Sequence, residues 1–164
     1  MELIDELINS FNTIWPPSFW DVLDIAVLTY LIYKLIHEHE YIEFMVGRDG
    51  DFDQIATSAV KKAQHSYAEH RCDITWVMPY EKAEYTKNAE DFEKYYDYVI
   101  VCPESDKVHP KQAIQVRNRW IVDKSDLVVF WVENNSGGAY MTMKYAEKEL
   151  PEMTNLADKV GIEE

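Results

Sequence analysis

Three stretches concentrate the residue types that can hold or act on a polar ligand. VGRDGDFDQ, Val46 to Gln54, packs three aspartates and two glycines into nine residues directly after the apolar run YIEFMV. NNSGGAYMTMKYA, Asn134 to Ala146, again sets a glycine-bearing turn between an apolar strand and a helix. QVRNRW, Gln115 to Trp120, puts Arg117, Asn118 and Arg119 side by side in a strongly acidic chain.

The first stretch excludes several chemistries by its spacing. Counted as a calcium loop from Asp49, it matches at Asp51 and Asp53, but Gln54 stands where glycine is needed and Val60 where a bidentate glutamate is needed. Gly47 and Gly50 satisfy neither the three-glycine dinucleotide fingerprint nor the phosphate loop that ends in Gly-Lys-Ser/Thr. What remains is a strand-to-helix turn whose backbone N–H groups face an anion, with Asp53 placed to cap the next helix or to bond a ribose hydroxyl. The pair Gly137 and Gly138 makes a second such turn, so phosphate or ribose binding at one sheet edge is the chemistry that both share. Arg117 and Asn118 adjoin the inward stripe of their helix, Ile114, Ile121 and Val122, where an unpaired guanidinium is costly. They are expected to reach an anionic ligand, a neighbouring loop or surface carboxylates.

His37 and His39 lie two apart and point different ways, and His65, His70 and His109 have no partner at ligand spacing, so no metal and no cofactor are expected. Cys72 and Cys102 are far apart, in or beside apolar segments, and read as buried free thiols of a reducing, cytoplasmic compartment. Tyr80, Tyr85, Tyr95, Tyr96 and Tyr98 could stack on a base or serve packing.

The elements that position these residues alternate between strand and helix. Apolar periodicity predicts helices over Trp20 to His39, Gln54 to Ala68, Lys111 to Lys124 and Ala139 to Leu150. Short apolar runs predict strands over Ile42 to Val46, Asp73 to Met78, Asp97 to Cys102, Leu127 to Val132 and Met153 to Ala157. Ile55, Ala56, Ala59, Val60, Ala63 and Tyr67 share one face of the second helix, and Pro79 to Tyr96 reads as a long loop or irregular helix. Strands without strict polar alternation belong to a sheet covered on both faces. The fold class is therefore α/β, a three-layer Rossmann-like sandwich with a mostly parallel sheet. Ligands of such sheets sit beyond the carboxyl ends of the strands, which selects the loops Gly47 to Asp53, Pro103 to Pro110 and Glu133 to Tyr140.

The chain has 164 residues, one domain's worth, and its 16 basic and 30 acidic side chains give a formal charge of −14. Such a surface repels a nucleic acid backbone, so no nucleic acid partner is expected. Phe19 to Ile36 is the one candidate membrane segment, but its uncharged core, Ile25 to Tyr33, has nine residues, against the ~20 that a span needs. A buried helix is expected there, with docking to a membrane or a partner as the alternative.

Taken in order, VGRDGDFD, CPES, HPKQAIQVRNRWIVDKSDLVVFWV and SGGAYMTMKYA resemble the SLOG superfamily of Rossmann-like proteins, which includes the DprA and LOG families, and most of all its short YpsA-like branch. The resemblance covers about residues 30 to 157, leaving 1 to 20 as an N-terminal extension to a single domain over 21 to 164. It implies a nucleotide or nucleotide-derived small molecule at the strand ends. Gly47, Arg48, Asp49, Gly50 and Asp53 would form one cradle, Ser136, Gly137, Gly138 and Ala139 the other, with Arg117, Asn118 and Glu104 beside them. Two departures stand out. Relatives begin with a strand ending in Gly-His-Arg, and INSFNTIWPPSFW stands in its place, so the first strand is expected to be missing and the exposed edge covered in a homo-oligomer. LOG-type hydrolases, which cleave an N-glycosidic bond, carry a glutamate where this chain has Lys144, leaving Glu104 and Glu147 as candidate carboxylates. The expected function is binding or sensing; the alternatives are that hydrolysis and an oligomeric or membrane-associated interaction domain.

Overall fold

A computed structural model of the chain describes residues 19–67, 72–105, 107–150 and 152–160. The N-terminal extension, where the resemblance leads one to look for a first strand, lies outside the described residues up to residue 18, and its last two residues, Phe19 and Trp20, open a helix. Helix α1, Phe19–Glu38, leads to strand β1, Ile42–Val46, then α2, Asp51–Tyr67, and β2, Cys72–Met78. Two short helices, α3 (Ala83–Lys87) and α4 (Ala89–Tyr95), precede β3, Tyr98–Val101. Then come α5 (Pro110–Lys124), β4 (Val128–Phe130), α6 (Gly137–Glu149), β5 (Met153–Asn155) and α7 (Ala157–Val160).

The architecture is the expected Rossmann-like α/β one, with every strand pairing parallel. Parallel strands need crossovers, and the helices between them supply these. All of β2 except Asp73 is buried, so both faces of the central strand are covered. Ile74, Trp76 and Met78 join Leu28, Ile32 and Ile36 of α1 and Val60 and Ala63 of α2 in the main core. Leu28, Ile32 and Ile36 recur every four residues, one helical stripe, and that stripe is spent on the core of this chain. Among the described residues no helix is long and apolar enough to cross a membrane. Cys72 and Cys102 are free and buried, as expected.

Strand β5 ends at Asn155, with Ala157 opening α7 instead of closing the strand, and α6 begins at Gly137, two residues before the expected Ala139; four further differences matter more. The strands form two sheets, β1-β2-β3 and β4-β5, in place of one. Strand β4 stops at Phe130 because the buried Asn155 side chain then replaces the ladder: the Val132 N–H donates to Asn155 Oδ1 (3.0 Å) and Asn155 Nδ2 donates to the Val132 carbonyl (2.9 Å). Helix α2 starts at Asp51, three residues before the expected Gln54, and Ile55 lies off the apolar stripe at 45% exposure. The stretch Pro79 to Tyr96 holds α3 and α4, whose Tyr85 and Phe92, seven residues apart, both pack on Trp76.

Candidate functional site

Strands β1 and β4 are edge strands of separate sheets, and both line one cavity of about 340 Å³. Met45, Gly47, Asp49 and Gly50 reach it from β1 and its turn, and Val128 to Val132 from β4 and its continuation. Helix α5 contributes Ile114, Gln115, Arg117, Asn118, Ile121 and Val122, and the amino end of α6 contributes Gly138 and Ala139. The turn after β1 and the continuation of β4 both follow the carboxyl ends of their strands, where α/β folds place their ligands.

Arg117 organises the wall beside β1. Its side chain is 2% exposed; Nη2 donates to Asp49 Oδ2 at 2.7 Å and Nη1 to the Val77 carbonyl at 3.0 Å. Asp49 also pairs with Lys82. The guanidinium therefore ties the turn after β1 to the end of β2, and of the readings open for Arg117 the structure takes the neighbouring loop. Gly47 is required here by close approach, since a Cβ would stand 2.5 Å from Arg117 Nη1 and 2.6 Å from Asp53 Oδ2.

Asp53 is not the residue before the helix but the third within α2. From there its carboxylate accepts backbone hydrogen bonds from Asp49 and Gly50, the reach-back half of a capping box. Burial raises its pKa above the ordinary 3.8, opposed by Arg117 and those backbone groups and reinforced by Asp49. The amino end of α2 is thus already supplied with negative charge.

The turn before α6 is different. Gly137 has φ +92, a conformation that favours glycine, and at Gly138 a Cβ would stand 2.6 Å from Gln115 Nε2, so that the glutamine amide would have to shift. Ser136, the residue preceding the helix, makes no side-chain cap, and the first turn holds no acid. Gly138 and Ala139 of this end line the cavity, and the first N–H groups of a helix have no intrahelical partner and carry a partial positive charge. Behind them Thr142 Oγ1 donates to the Gly138 carbonyl at 3.0 Å and accepts from Asn118 Nδ2 at 3.4 Å, joining α5 to α6.

Eight of the residues singled out in the sequence therefore meet at one cavity: Gly47, Asp49, Gly50, Asp53, Arg117, Asn118, Gly138 and Ala139. Arg48, Glu104, Ser136 and Gly137 are not among its lining residues. The Arg48 guanidinium turns the other way, 5.4 Å from the Trp76 ring centroid and 5.0 Å from that of Phe92, and donates to Tyr96 Oη at 3.5 Å. Glu104 follows β3, which β2 separates from β1, and its loop is held elsewhere by buried Ser105, whose Oγ donates to the Pro79 carbonyl at 2.6 Å. Tyr85 and Tyr96 are used in packing on Trp76, while Tyr98 is 56% exposed. Lys144 and Glu147 are exposed and paired with each other at 2.7 Å. Gln115 was missed; its spacing of three from Asn118 and seven from Val122 was the available signal that it faces the same way.

Among the described residues no cluster of histidine, cysteine or carboxylate groups is suited to a metal. The site is that of a Rossmann-like protein with polar loops over an apolar cleft at the strand ends. No family model matches the chain, and no curated protein matches it. Among solved structures it is similar to (E)-4-hydroxy-3-methyl-but-2-enyl diphosphate reductase, at 12% identity and a TM-score of 0.24. That alignment covers 80% of this chain and 51% of the other, so the chain spans about half the reductase's length. A likeness of this size carries no argument about function.

Proposed function

We propose that the chain is a SLOG-type protein that binds a nucleotide or nucleotide-derived small molecule in the cavity between β1 and β4. The observation that carries the reading is the uncapped amino end of α6 at an apolar cleft whose opposite wall holds Asp49 and Asp53. A phosphate is favoured at Gly138 and Ala139, where backbone N–H groups are free. Ribose hydroxyls are favoured at the carboxylates, which are acceptors, and a flat base against the apolar walls. The hydrolase alternative has no carboxylate at the expected helix position, because Lys144 stands there and points to Glu147. The interaction-domain alternative is weakened by the burial of the α1 stripe. A homo-oligomer remains proposed, with β3 and β5 as the outer edges to be covered.

The test is thermal unfolding against AMP, CMP, ADP, ADP-ribose and NAD. A ligand at 100 times its Kd stabilises by about 2.7 kcal/mol, which for a chain of this size is a shift of roughly 5–10 °C. The companion variant is Ala139→Asp. An acid in the first turn of α6 suits the helix but repels a phosphate, so this variant is expected to fold and to lose the shift. No shift with any compound, or a shift that Ala139→Asp retains in full, would overturn the proposed mode.

A further inference from the structure

Gln115 lines the cavity from α5, with its amide packed against the α6 turn at Gly138. Its Oε1 is buried and has no hydrogen-bond partner among the described residues. Buried acceptors are nearly always satisfied, because one without a donor destabilises the fold. An orphan of this kind at a cavity wall marks a place where a bound molecule's donor would be worth more than elsewhere.

The surroundings narrow the class of that donor. The cavity walls near α5 are apolar, built from Ile121, Val122, Val128 and Phe130. Phe52 and Trp131 also line it, with ring centroids 6.4 Å apart. The charged groups of the site sit at the β1 turn, where Arg117 and Asp49 are already paired. The phosphate is placed at the α6 turn, on the Gly138 side of this amide; against the apolar walls away from that turn a charged ligand group would be desolvated with no opposite charge to meet it, whereas a flat neutral heterocycle suits both the walls and the amide. An acceptor oxygen asks for a hydrogen-bond donor, and on the adenine or cytosine ring of a nucleotide the exocyclic amine is the one N–H donor.

We propose that Gln115 determines specificity by accepting a hydrogen bond from the exocyclic amine of the ligand's base. The site would thus prefer amino-bearing rings, adenine or cytosine, over their oxo counterparts, hypoxanthine or uracil, whose carbonyl would face Oε1 with a second acceptor. This inference rests on the nucleotide reading above and goes further by naming the part of the ligand that is recognised.

The experiment is calorimetric titration of the wild-type chain, Gln115→Leu and Gln115→Glu with AMP, IMP, CMP, UMP and ribose 5-phosphate. In the wild type each amino nucleotide is expected to bind about tenfold tighter than its oxo partner, the scale of a buried acceptor satisfied or opposed. Gln115→Leu removes the acceptor and should bring each pair to within roughly threefold. Gln115→Glu keeps an acceptor and should keep the order, which serves the test if the leucine variant does not fold. The free leucine variant should melt no lower than the wild type, because it deletes an unsatisfied buried atom. Equal binding of amino and oxo nucleotides by the wild type, a reversed order, or a preference that survives in Gln115→Leu would overturn the assignment. If none of the five compounds binds the wild type, the nucleotide reading fails first and this inference with it; binding of ribose 5-phosphate as tight as that of AMP overturns only base recognition.

Discussion

Replacing Arg117 by leucine removes the one cation that lines the cavity among the described residues, and the cost can be worked from its contacts. The variant loses the 2.7 Å bond to Asp49 and leaves the Val77 carbonyl without its 3.0 Å donor. It also takes from Asp53 the positive charge that opposes its burial. One-sided removal of a buried pair costs about 3–5 kcal/mol. Two features place this case at the low end. Asp49 is 24% exposed and keeps Lys82, and the deletion also removes Arg117 Nε, a buried donor with no partner among the described residues. The expected loss is therefore about 3 kcal/mol, or roughly 6–12 °C in Tm for a domain of this length. Circular dichroism melts of both proteins from acid to neutral pH provide the assay. Without Arg117 the Asp53 carboxyl is pushed up further, so the penalty is full where that group is ionised and shrinks as falling pH protonates it. A neutral-pH loss below about 1 kcal/mol, or a loss that grows toward acid pH, would refute the organising role given to Arg117.

Other perturbations test the same geometry. Gly47→Ala drives a Cβ into Arg117 and Asp53, both held by other bonds, and should cost about 1–3 kcal/mol in urea unfolding. Gly50→Ala, where a Cβ meets nothing within 4 Å, should be neutral or slightly stabilising by the same measurement. The raised pKa of Asp53 means that its contribution to stability is fully present below 3.8 and is lost as pH rises through the folded value. Asp53→Asn should remove that downward slope from the stability–pH curve, as read by urea titrations across the window. Arg48→Ala deletes contacts with the Trp76 and Phe92 rings, each worth about 0.5–1 kcal/mol. It should alter the near-ultraviolet dichroism of the aromatic cluster while leaving nucleotide binding unchanged, because Arg48 does not line the cavity.

Much of this fold was legible because the strands carry their burial in their composition: ITWVM in β2 has no polar alternation and is buried on both faces. The glycine turns were legible for a similar reason. Gly137 needs a positive φ, and Gly47 and Gly138 leave room for a neighbouring side chain. What was hidden depends on distant partners. Arg117 meets an aspartate 68 positions away, and no local pattern shows which of the readings open for an arginine applies. Strand β4 is ended by the Asn155 side chain, a tertiary device invisible to periodicity. Helix α2 begins with Asp51 and Asp53, polar residues that favour a helix start but add nothing to an apolar stripe, so the boundary was placed three residues late. Gln115 was passed over because a lone glutamine on a helix is ordinary; only its burial without a partner gives it meaning.

The central claim is that a nucleotide occupies the cavity between β1 and β4. The most direct measurement is a two-dimensional NMR titration of the isotope-labelled chain with AMP and CMP, following backbone and side-chain amides together. Shifts are expected at Gly50, Gly138 and Ala139 and at the side-chain amide of Gln115, with Arg48 and the Tyr98 edge unmoved. Saturating nucleotide that leaves those amides in place, or moves only the Tyr98 edge, would contradict it.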